Sequence, residues 1–170
     1  MRKKKVYAVF LVVSLLIVGL SCDKNSHGED EDVCSVNNIK TPCYNLNVLL
    51  WGKGSIGYIK FRQDPDPAKI ITLDIKVENL QPNHEYLLQR AVDPINVVDG
   101  NCTSTTWLTL GKGLDPQSIL TSAHGKGSAE LWRDVSAVPS GSTFDIHFQV
   151  IDAVSLAVVL ASDCLQYQVR

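Results

Sequence analysis

The side chains able to do chemistry in this 170-residue chain are four histidines, five cysteines and a scatter of carboxylates. His124 lies two residues from Ser122, near enough for a hydroxyl–imidazole pair. A serine nucleophile also needs an acid to orient the imidazole and donors for an oxyanion, and neither is close in sequence. Asp93 and Asp99 bracket a loop that could offer oxygens to Ca²⁺, but that ion takes about six to eight of them and no EF-hand spacing is present. A solvated loop is the simpler reading. His27 sits in an acidic run, His84 follows Pro82-Asn83 in a turn, and His147 alternates with Asp145 and Gln149 as an outward strand residue. No P-loop, GxGxxG, HExxH or GxSxG pattern occurs. No nucleophile, acid–base pair or metal set converges, so the expectation is no catalysis and no cofactor. The formal charge of −2 provides no basic field for phosphates, so no nucleic-acid partner is expected.

Aromatic residues offer contact chemistry instead. Ile59 and Phe61 point inward on one strand pattern, which turns Tyr58 outward with Lys60 and Arg62. Ala129, Leu131 and Val135 form the apolar set of another, interrupted by Arg133, and leave Trp132 outward between Glu130 and Asp134. Exposed aromatics beside polar groups are the usual substance of protein or glycan contacts. A Trp132 covered by a loop or by the N-terminal segment is the simpler alternative.

The elements that position these residues are strands. Ile71, Leu73, Ile75 and Val77 alternate with polar residues, as do Phe144, Ile146, Phe148 and Val150, and such period-two runs mark half-buried antiparallel strands. Further strand candidates are 45–51, 55–63, 85–92, 105–110, 117–121, 128–135 and 165–169; residues 154–162 fit a short helix or a strand. Gly52-Lys53-Gly54, Asp64-Pro65-Asp66-Pro67, Gln81-Pro82-Asn83 and His124-Gly125-Lys126-Gly127 supply the turns. The pattern predicts an all-β, antiparallel Greek-key sandwich of about eight strands, with an immunoglobulin-like sandwich as the alternative.

The N-terminus reads differently. Arg2, Lys3, Lys4 and Lys5 precede an apolar run from Val6 to Leu20, too short for a comfortable transmembrane helix and suited to a secretory signal. The run ends in Gly19-Leu20-Ser21-Cys22, which resembles the lipobox of bacterial lipoproteins, although that class usually has a larger aliphatic residue where Gly19 stands. The resemblance implies a signal peptide over 1–21, a lipid on Cys22 and anchoring in the bacterial cell envelope, at the outer membrane, on its periplasmic side or at the surface. Cleavage there leaves 149 residues and takes the formal charge from −2 to −6. Residues 22–33, with five acids and one lysine between Asp23 and Asp32, form a flexible tether before a domain at 34–170. Acidic runs of this kind also resemble surface-export signals of some Gram-negative lipoproteins.

With Cys22 assigned to lipid, Cys34, Cys43, Cys102 and Cys164 form an even set in an exported chain, which favours disulfides over zinc in the absence of any CxxC or histidine pair. Of three possible pairings, the short polar loop between Cys34 and Cys43 favours a local bridge, leaving Cys102 with Cys164.

The order of features also resembles the copper/zinc superoxide dismutase fold. Val48-Leu49-Leu50-Trp51-Gly52-Lys53-Gly54 and Gly57-Tyr58-Ile59-Lys60-Phe61 resemble its first hairpin, Val77-Glu78-Asn79-Leu80-Gln81-Pro82 its third strand and turn, and Gly100-Asn101-Cys102-Thr103-Ser104 its disulfide loop. Leu120 to Ala129 is similar to the turn between its central strands. The likeness implies that fold and a Cys102–Cys164 bridge. It does not carry over the chemistry. The paired copper histidines would fall at Leu88 and Arg90, the guiding arginine at Ala161, and residues 103–123 hold no histidine; only His147 matches a ligand position. A single imidazole does not make a copper site. The combined expectation is a lipid-anchored, non-catalytic envelope protein that binds a protein or glycan.

Overall fold

The computed structural model describes residues 43–170 and the backbone of Val33 and Cys34. The expected signal segment, Cys22 and tether residues 23–32 lie outside the described residues. The chain is all-β, with no helix among the described residues. Its strands are β1 (Val33–Cys34), β2 (Asn45–Trp51), β3 (Ile56–Gln63), β4 (Ile70–Glu78), β5 (Glu85–Val92), β6 (Leu108–Thr109), β7 (Gly111–Lys112), β8 (Asp115–Pro116), β9 (Ser118–Leu120), β10 (Gly127–Asp134), β11 (Thr143–Asp152), β12 (Val158–Ala161) and β13 (Leu165–Gln168).

Six long strands carry the architecture. β2, β3 and β4 form an antiparallel meander, and β10 adds to the far edge of β4 over its full length. After β4 the chain crosses to the opposite wall, where β5 pairs with β11 on one edge and with β6 and β9 on the other. The far edge of β11 takes β13 and then β12. One pair, Ala161 with Trp51, joins β12 to β2 on one side. On the other, Lys112 of β7 pairs parallel with Trp132 of β10, while β6 just before it still belongs to β5. The single sheet therefore wraps into a nearly closed barrel. This differs from the expected count of about eight strands. The stretch expected as one strand over 105–110 contributes only Leu108–Thr109, because from Gly111 the chain leaves β5 for β10. Residues 154–162 resolve into a turn followed by β12 rather than a helix.

Alternation builds the core as expected for β2 to β4. Leu46, Val48 and Leu50, then Ile59 and Phe61, then Leu73, Ile75 and Val77, are buried on one face. Phe61 meets Phe148 and Tyr167 edge to face, with centroids 6.2 and 4.9 Å away, and so ties the two walls together. β11 departs from simple alternation. Asp145 and Gln149 are buried along with Ile146, Phe148 and Val150: loop residues 93–107 cover the outer face at Asp145 and His147, and Gln149 packs beside Gln89, which bonds Thr109.

At one end of the barrel, Gln63 holds the last strand. Its Oε1 accepts the Tyr167 hydroxyl at 2.7 Å and the Arg170 amide at 2.9 Å, its carbonyl accepts Arg170 Nε at 2.7 Å, and its amide donates to Asn45 Oδ1 at 3.0 Å. Burial pushes the Tyr167 phenol above its ordinary pKa, so the hydroxyl stays a donor. Arg170 also lies over the Tyr44 ring, 4.2 Å from its centroid. Cys102 and Cys164 form a disulfide across 62 residues, with Cα atoms 5.4 Å apart. Cys43 is itself disulfide-bonded; the side chain of Cys34, its expected partner, lies outside the described residues.

Candidate functional site

The outer face of the β2–β3–β4–β10 wall carries the exposed aromatics. Leu49 stands directly opposite Tyr58 and Trp51 opposite Ile56, so four large side chains share one small area of that face. Trp51 is 53% exposed, and Leu49 and Ile56 are exposed beside it. Tyr58 is half-buried, and its hydroxyl donates to Asn47 Oδ1 at 2.7 Å. Arg62 Nη2 donates to the same oxygen at 2.9 Å. The hydroxyl of the tyrosine is thus satisfied within the same face. Lys76 lies opposite Tyr58 and Glu78 opposite Ile56 on β4, giving the apolar quartet a charged margin.

Trp132 lies on the same outer face, two strands and four residues from Tyr58, about 16 Å away by strand geometry. It is 40% exposed, less than Trp51. Its ring packs over Gly113 in the β7–β8 turn, where φ is +69° and a Cβ would run into the indole. The turn therefore covers part of Trp132. Trp51, in contrast, escaped the sequence reading. The signal for it was available, because the parity that buries Leu46, Val48 and Leu50 turns Leu49 and Trp51 outward.

The opposite wall carries His147 and the positions that the resemblance singles out. His147 does not face solvent as expected. Its ring lies 4.6 Å from the Trp107 ring and its Nε2 is 3.0 Å from the Ser104 carbonyl oxygen. Loop residues 93–107 come down over it because two buried carboxylates pin them. Asp93 accepts the amides of Thr103 and Ser104 at 2.9 and 2.7 Å, and Asp145 accepts those of Asp99 and Gly100, both at 2.8 Å. The Thr103 amide, foremost, holds the Asp93 carboxyl below its usual range. Asp93 and Asp99 spend their oxygens on the main chain, Asp99 accepting the Asn101 amide, and do not form a calcium cage. Leu88 and Arg90, where the resemblance would put two copper histidines, face the interior. The β5 residues that share the face of His147 are Gln89 and Ala91. Gln89 joins Thr109 to Gln149 by side-chain hydrogen bonds of 3.1 and 2.7 Å. Ala161 is an exposed residue of β12. Such donors do not fit a copper site, and no cluster of three or more potential metal ligands occurs among the described residues.

Two other pairs resolve as structural. The Ser122 hydroxyl accepts the His124 amide at 3.3 Å, an ordinary turn contact. His84 Nε2 lies 2.7 Å from Asp152 Oδ2, while Asp152 Oδ1 accepts the amides of Val154 and Ser155, each at 2.8 Å. The Ser155 and Val154 amides, ahead of His84, bring the Asp152 carboxyl down from 3.8 to about 2. A depressed carboxyl contributes stability that is fully present above its unfolded value and is lost as pH falls through its folded one. Stability should therefore drop between about pH 4 and pH 2, and the drop should be smaller in Asp152→Asn. Urea melts of both proteins across that range check this; parallel acid limbs would remove Asp152 from the cause.

Compared with known protein families and with curated proteins, the chain matches none.

Proposed function

We propose that this chain is a lipid-anchored, non-catalytic binding module of the bacterial cell envelope, carried on Cys22 and recognising a protein or glycan. The barrel fits a Greek-key domain similar to the superoxide dismutase class: three hairpin-linked strands, a crossing to the opposite wall, and a return to β4 through β10. The observation that carries the binding reading is the exposed quartet of Leu49, Trp51, Ile56 and Tyr58. Aromatic and aliphatic surface with a charged margin is the composition of an interface centre. An acidic tether of about ten residues lets such a face reach roughly 15–20 Å from its anchor.

The test is capture from envelope extracts with the wild type, Trp51→Ala, Tyr58→Ala and Trp132→Ala side by side. Trp51→Ala and Tyr58→Ala should lose a partner or glycan that the wild type retains, and Trp132→Ala should lose less. Equal capture by all four would move the site off this face, and no specific capture by the wild type would favour a purely structural role in the envelope. Cys22→Ala should release the protein from membranes; unchanged membrane association would sink the lipid anchor.

A further inference from the structure

Between the two walls, at the end of the barrel that Gln63 closes, lies a cavity of about 210 Å³. Phe61, Leu73, Leu110 and Ile146 line its deep part, and the half-exposed Ile95 marks its rim. Two cations also line this apolar space: Arg90 from β5 and Arg133 from β10. No carboxylate is among the lining residues. Arg133 Nη1 donates to the Gly113 carbonyl at 3.0 Å, and the Tyr167 hydroxyl is committed to Gln63. The Arg90 guanidinium, unlike the main chain of that residue, has no hydrogen bond or ion pair among the described residues. Burial, and then the charge of Arg133, hold its guanidinium below its ordinary pKa.

Both features are unfavourable for the empty protein. Arg90 is only partly buried, but a guanidinium turned toward an apolar space with no anion loses part of its solvation unrepaid, and a second like charge beside it adds repulsion. An apolar void forfeits the dispersion contacts of its walls. One ligand class relieves both at once. We infer that this cavity is a binding site for a small monocarboxylate with an apolar tail, its carboxylate held between Arg90 and Arg133 and its tail against Phe61, Leu73 and Ile146. A carboxylate suits the planar fork of Arg90, which can donate two parallel hydrogen bonds. Size limits the tail. An apolar cavity of about 150 Å³ holds benzene, so this one takes about six carbons or a single ring beyond the carboxylate. The site is separate from the outer quartet, and either can fail without the other.

Calorimetric titration of the exported chain carrying Cys22→Ser, which keeps acyl chains and detergent out of the assay, tests this with hexanoate, 1-hexanol and acetate. Hexanoate should bind at least tenfold more tightly than either of the others. Arg90→Met should weaken hexanoate at least tenfold and leave hexanol unchanged. If Arg90→Met does not fold, the wild-type ranking of the three probes still decides. Hexanol binding as tightly as hexanoate would reduce the site to an apolar void. Acetate binding as tightly would reduce it to an adventitious anion site, and no hexanoate binding would overturn the inference outright.

Discussion

Replacing Cys102 and Cys164 together by serine should lower the stability of the domain by about 4 kcal/mol, the chain-entropy value for a loop of this length. For a domain of this size that corresponds to a fall in Tm of about 15 °C. The effect enters largely through the unfolded chain, which a bond across 62 residues keeps compact. The native loop has other moorings in the Asp93 and Asp145 carboxylates, so the folded structure around His147 should persist. Denaturant melts of the double variant should accordingly show a lower midpoint and a steeper slope, since more surface is exposed on unfolding. A loss below about 1 kcal/mol would mean that the chain-entropy account fails here.

Gln63→Leu should be the most damaging single change that keeps side-chain volume, costing about 3 kcal/mol. The substitution removes the acceptor of a buried tyrosine hydroxyl and of the Arg170 amide, and no water replaces it at a fully buried position. Gln63 Nε2 has no partner among the described residues, so its removal offsets part of the loss. A double-mutant cycle separates the terms. Tyr167→Phe made on top of Gln63→Leu should cost at least about 1 kcal/mol less than Tyr167→Phe alone, because the orphaned hydroxyl is already unsatisfied. Additive effects would show that the Gln63–Tyr167 bond contributes nothing of its own.

Strand positions were legible wherever one face met the core and the other met water. β2 and β5 coincide with the stretches read from alternation, β3 and β4 differ by one residue at one end, and β10 is shifted by one residue. Legibility failed where a loop supplies a second cover. His147 and Asp145 look like solvent-facing residues in a period-two pattern, and only loop residues 93–107, folded back by main-chain bonds to two carboxylates, bury them. Parity explains the other misses. A one-residue shift exchanges the faces of a strand, so the resemblance put Leu88 and Arg90 beside His147 when Gln89 and Ala91 are there. The inward arginine at 133 looked like a blemish in an apolar set. Its meaning depends on Arg90, which lies 43 positions away and reaches the same cavity. No local pattern reports such a meeting.

Strand order also determines when the chain can close. The β2–β3–β4 meander joins neighbours through short turns, so its pairs can form as soon as the segment is free to fold. β5 has to wait for β11, whose first partner residue lies more than fifty positions downstream, and β4 has to wait for β10. Distant pairings are slow because loop-closure entropy is lost before contacts repay it. During that interval β4 and β5 present unpaired backbone edges to any other chain nearby. Oxidation of Cys102 with Cys164 ahead of folding would shorten the longest of these waits, since it brings the β5–β6 connection to the β12–β13 connection before either wall is complete. The bond that stabilises the finished barrel is thus also a means of shortening the exposure of its edges.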